Sequence, residues 1–104
     1  MNAAIDIPSE KLADFCERHQ IQQLALFGSV LRDDFRPDSD VDVLVEFAPG
    51  VRYRFKDLDQ MENELRAIFN LPVDLVDKQA IVQSSNYIRR KAILGSAAVV
   101  YAKR

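Results

Sequence analysis

The sequence predicts a single small domain of the α/β (α+β) class, with one small sheet and helices beside it. Three observations support this prediction. The length of 104 residues is close to the commonest size of one domain. Hydrophobic residues make up 48% of the chain, which is enough for one modest core. Strand patterns and helical periods alternate with no linker or internal repeat between them, so we treat residues 1–104 as one domain.

The first two predicted elements are a helix and a buried strand. Residues 8–10 (PSE) indicate a helix start with Ser9 as its N-cap. Side chains at helical spacing give this helix one predominantly apolar face: Leu12, Phe15, Cys16 and His19. Residues 22–27 (QQLALF) predict a short strand that stops at Gly28, and residues 30–36 predict a short helix followed by a turn.

Residues 40–47 (DVDVLVEF) give the clearest strand pattern in the chain. Because side chains alternate between the two faces of a strand, one face carries four apolar residues: Val41, Val43, Val45 and Phe47. The opposite face carries Leu44 and three acidic residues, which are Asp40, Asp42 and Glu46. Residues 55–69 then show a sustained helical period, which Asn70 and Pro72 end.

The last part of the chain predicts a strand, a helix and a strand. Residues 73–76 (VDLV) form a short strand with Asp74 on the face opposite its apolar neighbours. One of the serines at 84–85 caps a helix that runs to about residue 93, and residues 97–101 (AAVVY) form a last strand.

Composition excludes several classes of function. Fourteen basic and sixteen acidic residues give a net charge of -2, so we expect neither direct DNA binding nor a general attraction to anionic lipid. One cysteine and one histidine cannot build a Cys/His zinc site. No apolar run reaches the roughly 18 residues of a membrane span. The first ten residues do not read as an export signal, and we therefore expect a cytoplasmic protein.

Gly28 and Ser29 stand where a strand ends and a helix is predicted to begin. A glycine there lets the backbone approach a ligand closely, and the helix offers unpaired N–H groups to an anion. The hydroxyl of Ser29 adds a donor for a phosphate oxygen. Most Gly-Ser pairs are ordinary turns followed by a helix cap, so the pair alone does not establish a phosphate site.

Asp40 and Asp42 project from one face of a predicted strand, with their Cα atoms about 6.5–7 Å apart. Two neighbouring carboxylates repel each other unless a positive charge lies between them. Mg²⁺ fits this position because it prefers oxygen ligands and accepts substrate phosphates in its coordination shell. The alternative is a solvated sheet edge, which is the commoner use of exposed acidic residues.

Asp74 is an acidic residue in an otherwise apolar strand. If this strand lies beside the strand over 40–47, Asp74 brings a third carboxylate to the face of the first two. Three carboxylates from two strands can hold two metal ions, one at the nucleophile and one at the leaving group. Asp77 is a rival, but strand alternation puts it on the other face. The alternative is that Asp74 is a solvated residue of an edge strand.

The spacing of these residues resembles a known signature. Ten residues, 30–39, separate Gly28-Ser29 from the Asp40-Val41-Asp42 motif, as in DNA polymerase β-like nucleotidyltransferases. The string GSVLRDDFRPDSDVDVLVEF resembles more closely the minimal nucleotidyltransferase (MNT) antitoxins, which are paired with HEPN-domain ribonuclease toxins. The VDLV strand and the tail IRRKAILGSAAVVYA also have counterparts there. The resemblance implies the polymerase β-like fold, a small mixed sheet flanked by helices.

The resemblance also implies roles for individual residues. Gly28 and Ser29 would bind the phosphates of ATP, the substrate. Asp40 and Asp42 would be metal ligands, and Asp74 would be the third catalytic carboxylate, ligand to one of two Mg²⁺ ions and helper of the attacking hydroxyl.

Arg32 matches a basic position that often follows the Gly-Ser pair in such proteins. Its guanidinium has two equally good partners, the phosphate oxygens of the nucleotide or a neighbouring acid such as Asp38. Asp33-Asp34 stands where many relatives carry a glycine.

The implied activity is that of a protein adenylyltransferase acting as an antitoxin. It would transfer AMP from ATP to a tyrosine hydroxyl of a HEPN toxin and release pyrophosphate, and so neutralise the toxin. One alternative is a catalytically idle antitoxin that neutralises its partner by binding alone. The other is a small-molecule nucleotidyltransferase that works as a homodimer.

Overall fold

The computed structural model describes residues 7–28 and 40–103. The elements within these residues, in chain order, are α1 (Ser9–Arg18), β1 (Ile21–Phe27), β2 (Val41–Phe47), α2 (Phe55–Phe69), β3 (Val73–Asp77), α3 (Lys78–Val82), α4 (Tyr87–Ser96) and β4 (Ala98–Ala102). The helix predicted over 30–36 lies outside the described residues. None of the helices described is long and apolar enough to cross a bilayer.

The strands form a mixed sheet in the order β3-β2-β1-β4. β1 is antiparallel to both β2 and β4, whereas β2 and β3 are parallel and joined through α2. This arrangement confirms the predicted fold class. It also places the beginnings of β2 and β3 at the same end of the sheet as the end of β1.

One face of the sheet, called the packed face below, is covered by α1 and α2. The odd-numbered valines of β2 are completely buried there, as the alternation in 40–47 predicts. The buried members of this core cluster are Leu12, Phe15, Cys16, Ile21, Leu24, Leu26, Val41, Val43, Val45, Met61, Leu65 and Val73. Nearly all of them are branched or aromatic side chains, so this face supplies most of the hydrophobic stabilisation.

The opposite face, called the open face below, is covered in part by α3 and α4. Its smaller core cluster consists of Ala25, Phe27, Leu44, Ile81 and Ile93. Because Leu44 belongs to this cluster, the even-numbered residues of β2 lie on the open face. The acidic residues of β2 are therefore on the side of the sheet that has less cover.

Most predicted boundaries hold, and the exceptions have local causes. Pro8 occupies the N-cap of α1, and Ser9 is the first helical residue instead of the cap. The cap of α4 is Asn86, whose side chain accepts a 3.0 Å hydrogen bond from the N–H of Arg89, so the prediction of a serine cap is wrong. At the end of α2, Asn70 adopts the left-handed conformation that closes a helix.

Candidate active site

The register of the sheet brings Asp42 and Asp74 side by side. Their Cα atoms are direct partners in the parallel pairing of β2 with β3. Neighbouring strands lie about 4.8 Å apart, and partnered side chains project from the same face. Asp74 precedes Leu75, whose side chain packs in the core of the packed face, so Asp74 itself lies on the open face with Asp42.

Gly28 lies against the carboxylate of Asp42. In the antiparallel pairing, Asp42 is opposite Phe27, and Gly28 follows directly. Gly28 has a φ of +76°, which side chains other than glycine's rarely allow. A Cβ atom on this residue would also collide with Oδ2 of Asp42 and lie 3.3 Å from its Cγ. Glycine is therefore required on two independent grounds, and the backbone passes close to the carboxylate of Asp42.

The three predicted carboxylates differ in exposure. Asp40 and Asp74 are exposed, and Asp42 is partly buried. Asp40 lies two residues before Asp42, at the entry to β2. Within 7–28 and 40–103, no three acidic, histidine or cysteine side chains stand together as a ready metal cluster. The described residues thus provide one pair of carboxylates on neighbouring strands, Asp42 and Asp74. The third carboxylate, that of Asp40, lies two residues before Asp42 in the chain.

Asp77, the rival of Asp74, is used differently. Its Cα partner in β2 is Val45, whose side chain is buried on the packed face. Its Oδ1 accepts a 2.9 Å hydrogen bond from the N–H of Gln79 and caps α3. Strand alternation therefore separates the two residues as predicted, and Asp74, not Asp77, lies beside Asp42.

Glu62 of α2 holds the strand that carries Asp74. Its Oε2 accepts a 3.0 Å hydrogen bond from the backbone N–H of Leu75, and its Oε1 accepts a 2.7 Å bond from Arg66. β3 is at the edge of the sheet, so this bond occupies a donor on its outer side. Sequence analysis missed Glu62, because an acidic residue four positions before an arginine is typical of an exposed helix surface.

Two of the predicted nucleotide-binding residues, Ser29 and Arg32, lie outside the described residues, as does Asp38. Their roles remain predictions. The same holds for the acidic pair Asp33-Asp34.

A separate cleft of about 500 Å³ lies at the other end of the sheet. The rings of Phe47 and Tyr53 stack on its wall with centroids 4.3 Å apart, and Lys78 pairs with Glu46 at 3.3 Å. Phe47 is five residues beyond Asp42 in β2, or about 17 Å along the strand. None of the predicted site residues that the structure describes lines this cleft.

Comparison with known proteins gives consistent matches. The profile of the nucleotidyltransferase domain matches residues 9–96. The protein adenylyltransferase MntA of Thermococcus cleftensis is 37% identical over 67 residues, which are 62% of this chain and 64% of that protein. This chain thus spans slightly less than two thirds of the length of that relative.

Solved structures share the fold. A structure assigned as a minimal nucleotidyltransferase is 29% identical, with a TM-score of 0.65 over 86% of this chain and 85% of that one. A second structure contains a tri-AMPylated HEPN toxin of Shewanella oneidensis in complex with an MNT antitoxin. The matched chain is 18% identical, with a TM-score of 0.62 over 91% of this chain and 70% of that one.

Proposed function

The chain belongs to the nucleotidyltransferase domain family, and we propose that it transfers AMP from ATP to a hydroxyl of a partner protein. The family match confirms the resemblance found in the motif. The observation that carries the proposal is the pairing of Asp42 with Asp74 next to Gly28, because it joins three sequence-distant residues of the predicted signature in one place.

The donor set suits divalent cations that prefer oxygen. The site offers carboxylates and no histidine or cysteine among the described residues, and at least two of the carboxylates are exposed. Asp40, Asp42 and Asp74 would hold two Mg²⁺ ions. When bound, such ions neutralise charge on the triphosphate and favour ionisation of the acceptor hydroxyl.

The chain's own residues would do the remaining work. The backbone at Gly28, with Ser29 and Arg32, would hold the phosphates in line with the acceptor. The acceptor oxygen attacks the α-phosphorus, the bond to the β-phosphate oxygen breaks, and pyrophosphate leaves. The hydroxyl proton passes to a site carboxylate, for which exposed Asp74 is suited because it can return the proton to solvent.

The proposed acceptor is a tyrosine of a HEPN-domain toxin. Among the described residues, α3 and α4 cover only part of the face that carries the carboxylates, and Asp40 and Asp74 are exposed, which suits an acceptor presented by a partner. The name of the Thermococcus relative and the AMPylated toxin of the Shewanella complex support a protein acceptor and an adenylyl group. Transfer of AMP to the toxin would neutralise it, which makes this chain its antitoxin.

The test takes the protein encoded by the neighbouring reading frame, in which we expect a HEPN domain, and measures incorporation of labelled AMP from α-labelled ATP, with the modified residue identified by mass spectrometry. We expect labelling of a tyrosine, and a loss of at least about 100-fold in the double variant Asp40→Asn/Asp42→Asn. Glu46→Gln is the matched control, because Glu46 lies on the same face of β2 but pairs with Lys78 at the other end of the sheet.

Equal labelling by the double variant and the wild type would contradict the catalytic proposal. If the double variant neutralises the toxin fully without labelling it, the chain acts by binding alone. Transfer to a small hydroxyl compound with no protein acceptor would instead identify a small-molecule enzyme.

A further inference from the structure

Charge is divided unevenly along the chain. All sixteen acidic residues lie within residues 1–77, which also contain eight basic residues and so carry a net charge of -8. Residues 78–104 contain no acidic residue and six basic ones: Lys78, Arg89, Arg90, Lys91, Lys103 and Arg104. The near-neutral total therefore conceals a basic carboxyl-terminal quarter, in which three of the six charges are consecutive in α4.

The outer surface of α4 exposes several apolar side chains. Ile93 faces the core and is buried, whereas Ile88 is 79% exposed, Tyr87 60% and Leu94 36%. Helical spacing places these exposed residues in two adjacent rows. The first row is Tyr87, Lys91 and Leu94, and the second row is Ile88, Ala92 and Gly95. Together the two rows are called the α4 surface below.

The edge strand β4 carries a further exposed apolar residue. Val99 is 49% exposed, and its Cα partner is Ala25, which belongs to the core of the open face. Val99 therefore lies on the side of the sheet that α4 covers. Exposed isoleucine, leucine, valine and tyrosine concentrated in this way are typical of an interaction surface.

Basic residues lie within and beside this surface. Arg89 and Lys91 are exposed. Arg90 is partly buried, donates a 2.9 Å hydrogen bond to the carbonyl oxygen of Ser84, and lies 5.6 Å from the ring centroid of Tyr87. This contact restrains Tyr87, and a restrained aromatic residue loses less entropy when a partner binds.

We propose that the α4 surface docks a partner protein whose contact region is apolar and bordered by carboxylates. The proposal rests on the proposed function, in which that partner presents the acceptor hydroxyl. The placement fits, because Ile93 of α4 packs in the same small core as Phe27, the strand neighbour of Asp42. A partner on α4 is therefore on the same side of the sheet as the catalytic carboxylates.

The composition of the surface favours this partner over two others. A second copy docked through a twofold axis would bring two identical basic surfaces together, and like charges across an interface weaken it. A nucleic acid would pair with the arginines and lysines but leave Ile88 and Leu94 without an apolar counterpart. An apolar region with acidic residues at its rim complements both features.

The experiment measures the affinity of this chain for the HEPN-domain protein used in the transfer test. The chain carries the transfer-inactive Asp40→Asn/Asp42→Asn background, so that binding is measured without modification. We expect Ile88→Asp to weaken binding by about 30-fold or more. The variant should fold normally, because Ile88 is highly exposed and an acidic residue in the first turn of a helix is favourable. Val82→Asp in α3, 50% exposed in the wild type, is the matched control and should bind as the background does.

A second variant tests whether the positive charges of α4 contribute to binding. Arg89→Glu/Lys91→Glu should weaken binding by about tenfold at low salt and by less at high salt. Lys11→Glu/Lys56→Glu makes the same charge change at exposed positions outside α4 and should leave the affinity unchanged.

Three results would overturn the inference. The first is that Ile88→Asp binds the HEPN-domain protein with full affinity. The others are that this chain alone forms a dimer that Ile88→Asp dissociates, or that it binds RNA through the three basic residues without needing Ile88. None of these results tests whether the chain transfers AMP. Absence of labelled product with docking intact would instead refute the proposed function and leave the docking surface standing.

Discussion

The two faces of the sheet contrast sharply. Among the described residues, the core of the packed face contains twelve buried residues, and the core of the open face contains five. Both draw on β2, whose odd-numbered valines are completely buried on one face while Asp42 and Glu46 lie on the other. A single strand thus contributes alternately to the larger core and to the proposed site. Substitutions should separate the two roles by face.

The largest expected effect is on stability, at the packed face. Phe15→Ala should lower the free energy of unfolding by about 3–5 kcal/mol, because Phe15 is completely buried between α1 and the sheet. Ile93→Ala on the open face should cost nearer 2 kcal/mol, since α4 has less around it and can relax into the space. Urea unfolding measures both. Equal losses would show that the two faces are packed alike.

The next prediction compares alanine substitutions at two glycines, one at the proposed site and one away from it. Gly28 and Gly50 both have positive φ, so alanine at either position should cost about 1–2 kcal/mol of stability. A Cβ atom on Gly28 meets the carboxylate of Asp42, whereas one on Gly50 has no atom within 4 Å. Gly28→Ala should therefore lower AMP transfer by at least about tenfold, and Gly50→Ala should leave it unchanged. Similar rates for the two variants would contradict the close approach of Gly28 to the site.

The last effect arises only above pH 9 and belongs to the packed face. Burial, with a contribution from the charge of Glu17, raises the pKa of the Cys16 thiol from 9.0 to about 12. Above pH 9 the unfolded chain loses this proton first, so the wild type should lose stability by up to about 1.4 kcal/mol per pH unit until pH 12.

Cys16→Ala removes this titration. The difference in unfolding free energy between wild type and variant should shrink as the pH rises from 9 to 11 and stay constant below pH 8. A difference that is constant over the whole range would show that Cys16 titrates normally in the folded protein.

Much of this contrast was predictable from the sequence. The alternation in 40–47 predicts which residues of β2 are buried, and the VDLV pattern assigns Asp74 to the face opposite Val73 and Leu75. Both features are local consequences of strand geometry. The parallel pairing that makes Asp42 and Asp74 partners is a long-range contact, and only the family resemblance supported it.

The remaining features depend on tertiary contacts that no local pattern encodes. The helix α3 has only five residues and follows β3 without a loop, so its helical period is too short to detect. The hydrogen bond from Leu75 to Glu62 joins two elements through one side chain. The exposed apolar residues of α4 lack a strong one-sided pattern, because both its inner and its outer surface carry isoleucine or leucine.

The most direct test of the account compares two neighbouring aspartates of β3. Asp74→Asn and Asp77→Asn make the same chemical change three residues apart, and asparagine also serves as an N-cap at position 77. The rate of AMP transfer to the partner, measured with Mg²⁺ and ATP on folded protein, should fall by at least about 100-fold in Asp74→Asn. It should remain near that of the wild type in Asp77→Asn. Full activity of Asp74→Asn, or equal losses in both variants, would contradict a catalytic site built across β2 and β3.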